Sequence, residues 1–152
     1  MVTTKGKSKS RRAVVARIPG TRLLGLKVRR KEELVRMVQA GLDVDHLVSL
    51  IKQSGLTKER IARLVAIPPR TLARRQREGW LSPEESDRLL RASRVVEAAV
   101  DLFEGDVDEA RHWLLTPTPA LSGDSPLEFT STDVGAREVE SLIGRLEHGV
   151  FA

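Results

Sequence analysis

The chain has 152 residues, 40% hydrophobic and 31% charged, enough to bury one core but not the several of a large multidomain enzyme. Aromatics make up only 3% and there is no cysteine, which argues against an aromatic-rich sandwich or barrel and excludes disulfides, thiol nucleophiles and Cys-based zinc. The net charge of +5 hides a split: residues 1–91 carry 22 basic and 9 acidic side chains (net +13), and residues 92–152 carry 4 and 12 (net −8), so one half suits a polyanion that the other would repel.

In chain order, residues 1–31 are basic and weakly patterned, with Thr3 to Arg12 too polar to bury themselves. They read as a flexible arm able to help hold phosphates, and a solubilising tail fits equally well. Val14-Val15-Ala16 and Leu23-Leu24 leave open a short strand or a docked segment.

Helical period begins at Lys31, with Leu34, Val35 and Val38 on one face and Gly41 as the stop. Asp43 can cap a second helix containing Leu47, Val48, Leu50 and Ile51, closed by Gly55. A third starts at Thr57, where Leu56 and Ile61 have the spacing of a hydrophobic staple. Pro68-Pro69 breaks the chain before a short fourth helix that Gly79 ends.

Ser82-Pro83-Glu84-Glu85 combines an N-cap, a proline at the first helical position and a capping box. The long helix after it places Leu89, Ala92, Val96, Ala99 and Phe103 on one stripe. Gly105-Asp106 stops it and can cap a short helix holding Ala110, Trp113 and Leu114, Trp113 being most simply a core anchor. Ser125-Pro126-Leu127-Glu128 repeats the capping device, and a last helix runs from about Asp133 to Glu147, with Val139, Leu142, Ile143 and Leu146 at core spacing. The expected fold is all-α: a basic arm (1–31), a helix-turn-helix bundle (32–81) and a small helical domain (82–152).

Thr57 to Arg77 fits a helix-turn-helix. The steep helix crossing requires a small residue where the helices approach (Ala62), a small or glycine residue at the turn (Ala66) and an apolar anchor in the second helix (Leu72). Alanine in the left-handed conformation costs about 1 kcal/mol, so Ala66 predicts a turn slightly different from the usual glycine one. The second helix would enter the major groove. With Leu72 and Ala73 turned inward, Arg70, Thr71 and Arg74 are expected to approach bases, and Arg75, Arg77, Lys58 and Arg60 to hold phosphate. Thr57 can cap its helix or touch a phosphate. Four arginines between Pro68 and Arg77, with only Glu78 nearby to balance them, are unusual for an ordinary solvated face.

Catalytic and metal patterns are missing. His46, His112 and His148 fall in different segments with no i,i+4 pair, Gly20 to Gly25 lacks the spacing of a phosphate loop, and no G-x-S-x-G elbow occurs. Acidic pairs such as Glu84-Glu85 are explained by capping. The expectation is therefore not an enzyme, with no cofactor, no metal and no catalytic residue. No apolar run approaches the ~18 residues of a membrane span and no signal-peptide core precedes the helices, so a cytoplasmic location is expected.

Four blocks of the second half follow one another in a recognisable order. They are Leu81-Ser82-Pro83-Glu84-Glu85-Ser86-Asp87-Arg88, Ala110-Arg111-His112-Trp113-Leu114, Leu121-Ser122-Gly123-Asp124-Ser125-Pro126-Leu127, and Ile143-Gly144-Arg145-Leu146-Glu147-His148-Gly149-Val150-Phe151-Ala152. Together, from about Val35 onward, they resemble the Xre-type antitoxins of RES–Xre toxin–antitoxin systems, also called MbcA/ParS/Xre antitoxins. Ser122 stands where that family often has Gly, and Phe129 where it often has an aliphatic residue.

The resemblance implies a RES-domain, NAD-degrading toxin as protein partner. The last helix and tail, Glu147, His148, Gly149, Val150, Phe151 and Ala152, would plug the toxin's active-site entrance. It further implies an N-terminal part that binds double-stranded operator DNA at the chain's own promoter and represses it, and a homodimer. The acidic second half, an apolar Phe151 beyond a helix stop and a carboxylate after Ala152 suit a pocket built for phosphate-bearing NAD. The alternative reading is a stand-alone helix-turn-helix regulator whose C-terminal part dimerises or senses a ligand.

Overall fold

The computed structural model describes residues 17–149. The readings placed on Val14-Val15-Ala16 and on Val150-Phe151-Ala152 lie outside these residues. The described chain is helical, as expected, with one isolated antiparallel bridge between Asp43 and Trp80 as its β pairing.

Local signals account for most helix starts. Helix α1 (Lys31–Ala40) ends at Gly41, whose φ of 93° lets the backbone pass against the Leu81 carbonyl where a methyl group would overlap it. In α2 (Val44–Ser54) the Asp43 carboxylate accepts the Asp45 N–H at 2.8 Å. In α3 (Lys58–Leu64) the Thr57 hydroxyl accepts the Arg60 N–H at 3.2 Å, so capping is the role Thr57 plays. Helix α4 (Pro69–Glu78) begins with proline at its first position and ends at Gly79. The reciprocal Ser82–Glu85 capping box opens α5 (Pro83–Leu102), Asp106 caps α6 (Val107–Leu115), a Ser125–Glu128 box opens α7 (Pro126–Phe129), and Thr132 caps α8 (Asp133–Glu147).

Helix α5 is the centre of the molecule. It packs against α8, α6, α1, α3 and α2. Its Leu89, Ala92, Val96 and Ala99 are almost completely buried, and Phe103 is partly buried with its ring 6.4 Å from that of Trp113, tilted by 54°. Each fully buried Leu or Val on this stripe stabilises the fold by about 1.5–3 kcal/mol. The core runs without a break from Leu24, Leu47 and Ile61 through Leu89 to Leu114 and Val139. The division expected at Leu81/Ser82 therefore crosses a continuous core, and α5 serves both sides of it.

Residues 18–26, expected to belong to a flexible arm, dock instead as an ordered strap. The cause is a carboxylate 74 or more residues away: Glu97 of α5, itself buried, accepts the Gly20 N–H at 3.1 Å and the Leu23 N–H at 3.2 Å. On α2, Ser49 Oγ donates to the Leu23 carbonyl at 2.9 Å and His46 Nδ1 donates to the Leu24 carbonyl at 2.7 Å. Leu23, Leu24 and Leu26 then enter the core. Of the two options open for Leu23-Leu24, the docked segment is the one found.

Candidate nucleic-acid interface and C-terminal end

Helices α3 and α4 meet over the turn Val65–Pro68. Ala62 and Ile61 of α3 and Leu72 of α4 are buried at the crossing. Ala66 adopts φ +55°, the left-handed conformation. The usual turn geometry is thus kept, not altered as expected, and alanine bears a strain of about 1–2 kcal/mol. Compensation comes from the turn's closed hydrogen bonding: the Ala66 N–H donates to the Arg63 carbonyl at 3.1 Å and the Ile67 N–H to the Ala62 carbonyl at 2.9 Å. From α5, Arg88 Nε donates to the Val65 carbonyl at 2.6 Å and fastens the end of α3 to the central helix.

On α4, successive residues turn by about 100°, so Arg70, Arg74 and Arg77 fall within about 60° of arc, roughly opposite Leu72 and Arg75. All three arginines of that stripe are exposed. Ala73 is exposed as well, which corrects the expectation that it turns inward: Leu72 and Arg75, three apart, form the inner face. Thr71 lies at the edge, half-buried. Arg74 approaches Glu78 at 3.8 Å, an exposed pair that leaves it available to a stronger partner. Among the described residues Lys58, Arg60, Arg63, Arg70 and Arg77 make no ion pair.

Arg75 departs from its expected phosphate role. Its Nε and Nη2 meet the Glu85 carboxylate at 2.8–3.1 Å, a forked pair in which the Glu85 side chain is only 8% exposed and that of Arg75 20%. Burial pushes the Glu85 carboxyl up. The hydrogen bonds from Arg75 and the Ser82 backbone, with the Arg75 charge, outweigh burial and hold its pKa below the ordinary carboxylate value. In return Glu85, by hydrogen bond first and charge second, raises the Arg75 pKa further. The same Glu85 closes the α5 capping box, so one carboxylate joins the inner face of α4 to the start of α5.

Arg63 was not singled out by pattern, yet it is exposed beside the α3–α4 turn, in a groove with Glu59, Ala62, Ile67 and Pro69. Its i+3 spacing from Arg60 is the signal that could have found it. Both arginines also border a cleft against Ser125 and Glu128 of the second half.

At the other end, α8 buries Val139, Leu142 and Ile143, while Glu147, His148 and Gly149 are exposed. Val150, Phe151 and Ala152 of the expected plug lie outside the described residues. No group of three His, Asp or Glu among the described residues could hold a metal, and no described helix is long and apolar enough to cross a membrane.

A basic helix-turn-helix joined through α5 to a smaller helical unit defines a DNA-binding protein class with an added C-terminal module. Residues 33–94 match the antitoxin Xre-like helix-turn-helix domain, and residues 98–149 match the antitoxin Xre/MbcA/ParS C-terminal toxin-binding domain. The chain is 44% identical over 132 residues to antitoxin Xre of Yersinia enterocolitica, covering 86% of this chain and 89% of the relative. It is 36% identical over 117 residues to antitoxin Xre of Photorhabdus laumondii, covering 76% and 79%. A protein of a Sphingobium species named Prs ADP-ribosylating antitoxin is 32% identical over 80 residues, covering 47% of this chain and 50% of the relative. The chain belongs to the Xre/MbcA/ParS antitoxin family, with a helix-turn-helix and a toxin-binding domain.

Proposed function

We propose that this chain neutralises a RES-domain, NAD-consuming toxin and represses its own operon, acting in the cytoplasm as a homodimer and without catalytic activity of its own. The observation that carries the reading is one continuous chain holding the exposed Arg70–Arg74–Arg77 stripe on a helix-turn-helix and an acidic toxin-binding domain 98–149. Arg70 and Arg74 approach base edges, with Thr71 beside them, while Lys58, Arg60 and Arg77 hold phosphates. Arg75 orients α4 through Glu85. Glu147 to Ala152 occupy the toxin's active-site entrance. The name of the Sphingobium relative supports an NAD-consuming partner, since ADP-ribosylation draws on the ADP-ribose of NAD.

The test is deletion of His148 to Ala152. The truncated chain is expected to lose inhibition of NAD consumption by a RES-domain toxin, while binding promoter DNA as before. Protection by the truncated chain at the same molar ratio overturns the plug.

A further inference from the structure

The strap 17–30 presents a second cationic surface, apart from α3 and α4. Residues 1–31 contain eleven Lys and Arg and no Asp or Glu. Among those described, Arg17, Arg22, Lys27 and Arg29 line one groove of about 510 Å³ that has no acidic residue in its wall. Arg22 is paired with Asp101 at 2.9 Å. Arg17, Lys27 and Arg29 are exposed and make no ion pair among the described residues.

The strap segment between these cations is held in place by the fold. Glu97 grips the strap backbone at Gly20 and Leu23, and Ser93 Oγ steadies the carboxylate at 3.3 Å. Gly20 has φ +92° and lies so close to Leu90 that an added methyl group would meet its side chain at 2.9 Å, so the approach is a glycine one. Strap and grip both fall outside the two matched domains, 33–94 and 98–149.

We infer that the strap is a second phosphate-contacting surface for duplex DNA, with Arg17, Lys27 and Arg29 gripping the backbone. The inference rests on the DNA-binding reading of α3 and α4. A preformed strap loses little conformational freedom on binding, unlike a free cationic tail.

The experiment titrates a 30-base-pair duplex of random sequence with the full chain over a range of salt, because non-specific binding reports phosphate contacts without knowledge of the operator. The triple variant Arg17→Ala, Lys27→Ala, Arg29→Ala is expected to flatten the log K against log salt slope by about 2–3 and to weaken binding roughly 10²-fold at 0.1 M salt. Its thermal midpoint and toxin inhibition should match the parent. An unchanged slope in this variant, with a flattened slope in Arg70→Ala, Arg74→Ala, Arg77→Ala, overturns the strap and leaves the helix-turn-helix reading standing. The reverse pattern removes the helix-turn-helix reading and, with it, the strap as a second surface beside that reading. Loss of binding to phosphatidylserine vesicles with DNA binding intact also overturns it.

Discussion

The α4 surface and the end of α8, the regions proposed to meet DNA and toxin, are built in opposite ways. The arginines of α4 stand on a helix whose inner face is pinned twice, by Leu72 in the core and by the Arg75–Glu85 fork. Helix α8 is anchored upstream, at Ala136, Val139, Leu142 and Ile143 with Leu146 partly buried, and its last described residues, Glu147 to Gly149, are exposed. The difference teaches where a distant change can reach. The α4 surface inherits the stability of α5, because the carboxylate that starts α5 also holds α4. The C-terminal end depends on the sequence of the end itself.

Leu72→Ala tests the comparison hardest. It opens a cavity under α4 and is expected to cost about 3 kcal/mol of stability, read by denaturant unfolding. Inhibition of the toxin at low temperature should outlast promoter binding. Equal loss of both would erase the contrast.

Arg75→Ala comes next, at about 2 kcal/mol, because it strands Glu85 in a poorly hydrated position. The salt slope of DNA binding should stay unchanged, since Arg75 is engaged by Glu85; a slope lower by about 0.9 would return it to the phosphate-holding set. The pH dependence follows from the depressed Glu85 pKa. The pair contributes fully above the ordinary carboxylate value, and its contribution is lost as pH falls from that value through the depressed one. Arg75→Ala should therefore narrow its stability deficit in acid, measured by thermal unfolding across pH.

Arg77→Ala is expected to leave stability intact and to flatten the salt slope by about 0.9, as a single phosphate contact would. Ala66→Gly is the mildest change and has the opposite sign. Relief of the left-handed alanine should raise stability by up to about 1 kcal/mol, partly offset by the added freedom of glycine when unfolded.

Much of this molecule is written in short-range signals. Asp43, Thr57, Ser82, Asp106 and Ser125 each meet a backbone N–H within three residues, so a reader of the chain sees the helix starts directly. The charge split and the Arg70–Arg74–Arg77 spacing can be read from the chain as well, and they mark the helix proposed to face DNA before any fold is known. Tertiary structure alone decided the rest. Glu97 finds Gly20 across 77 residues, and Arg75 finds Glu85 across a helix end and a loop. A basic stretch therefore becomes a docked strap, and an expected phosphate ligand becomes an internal tie. No pattern in the chain announces either, because a buried charge is satisfied by whichever partner folding brings within hydrogen-bond reach, whatever its distance along the sequence.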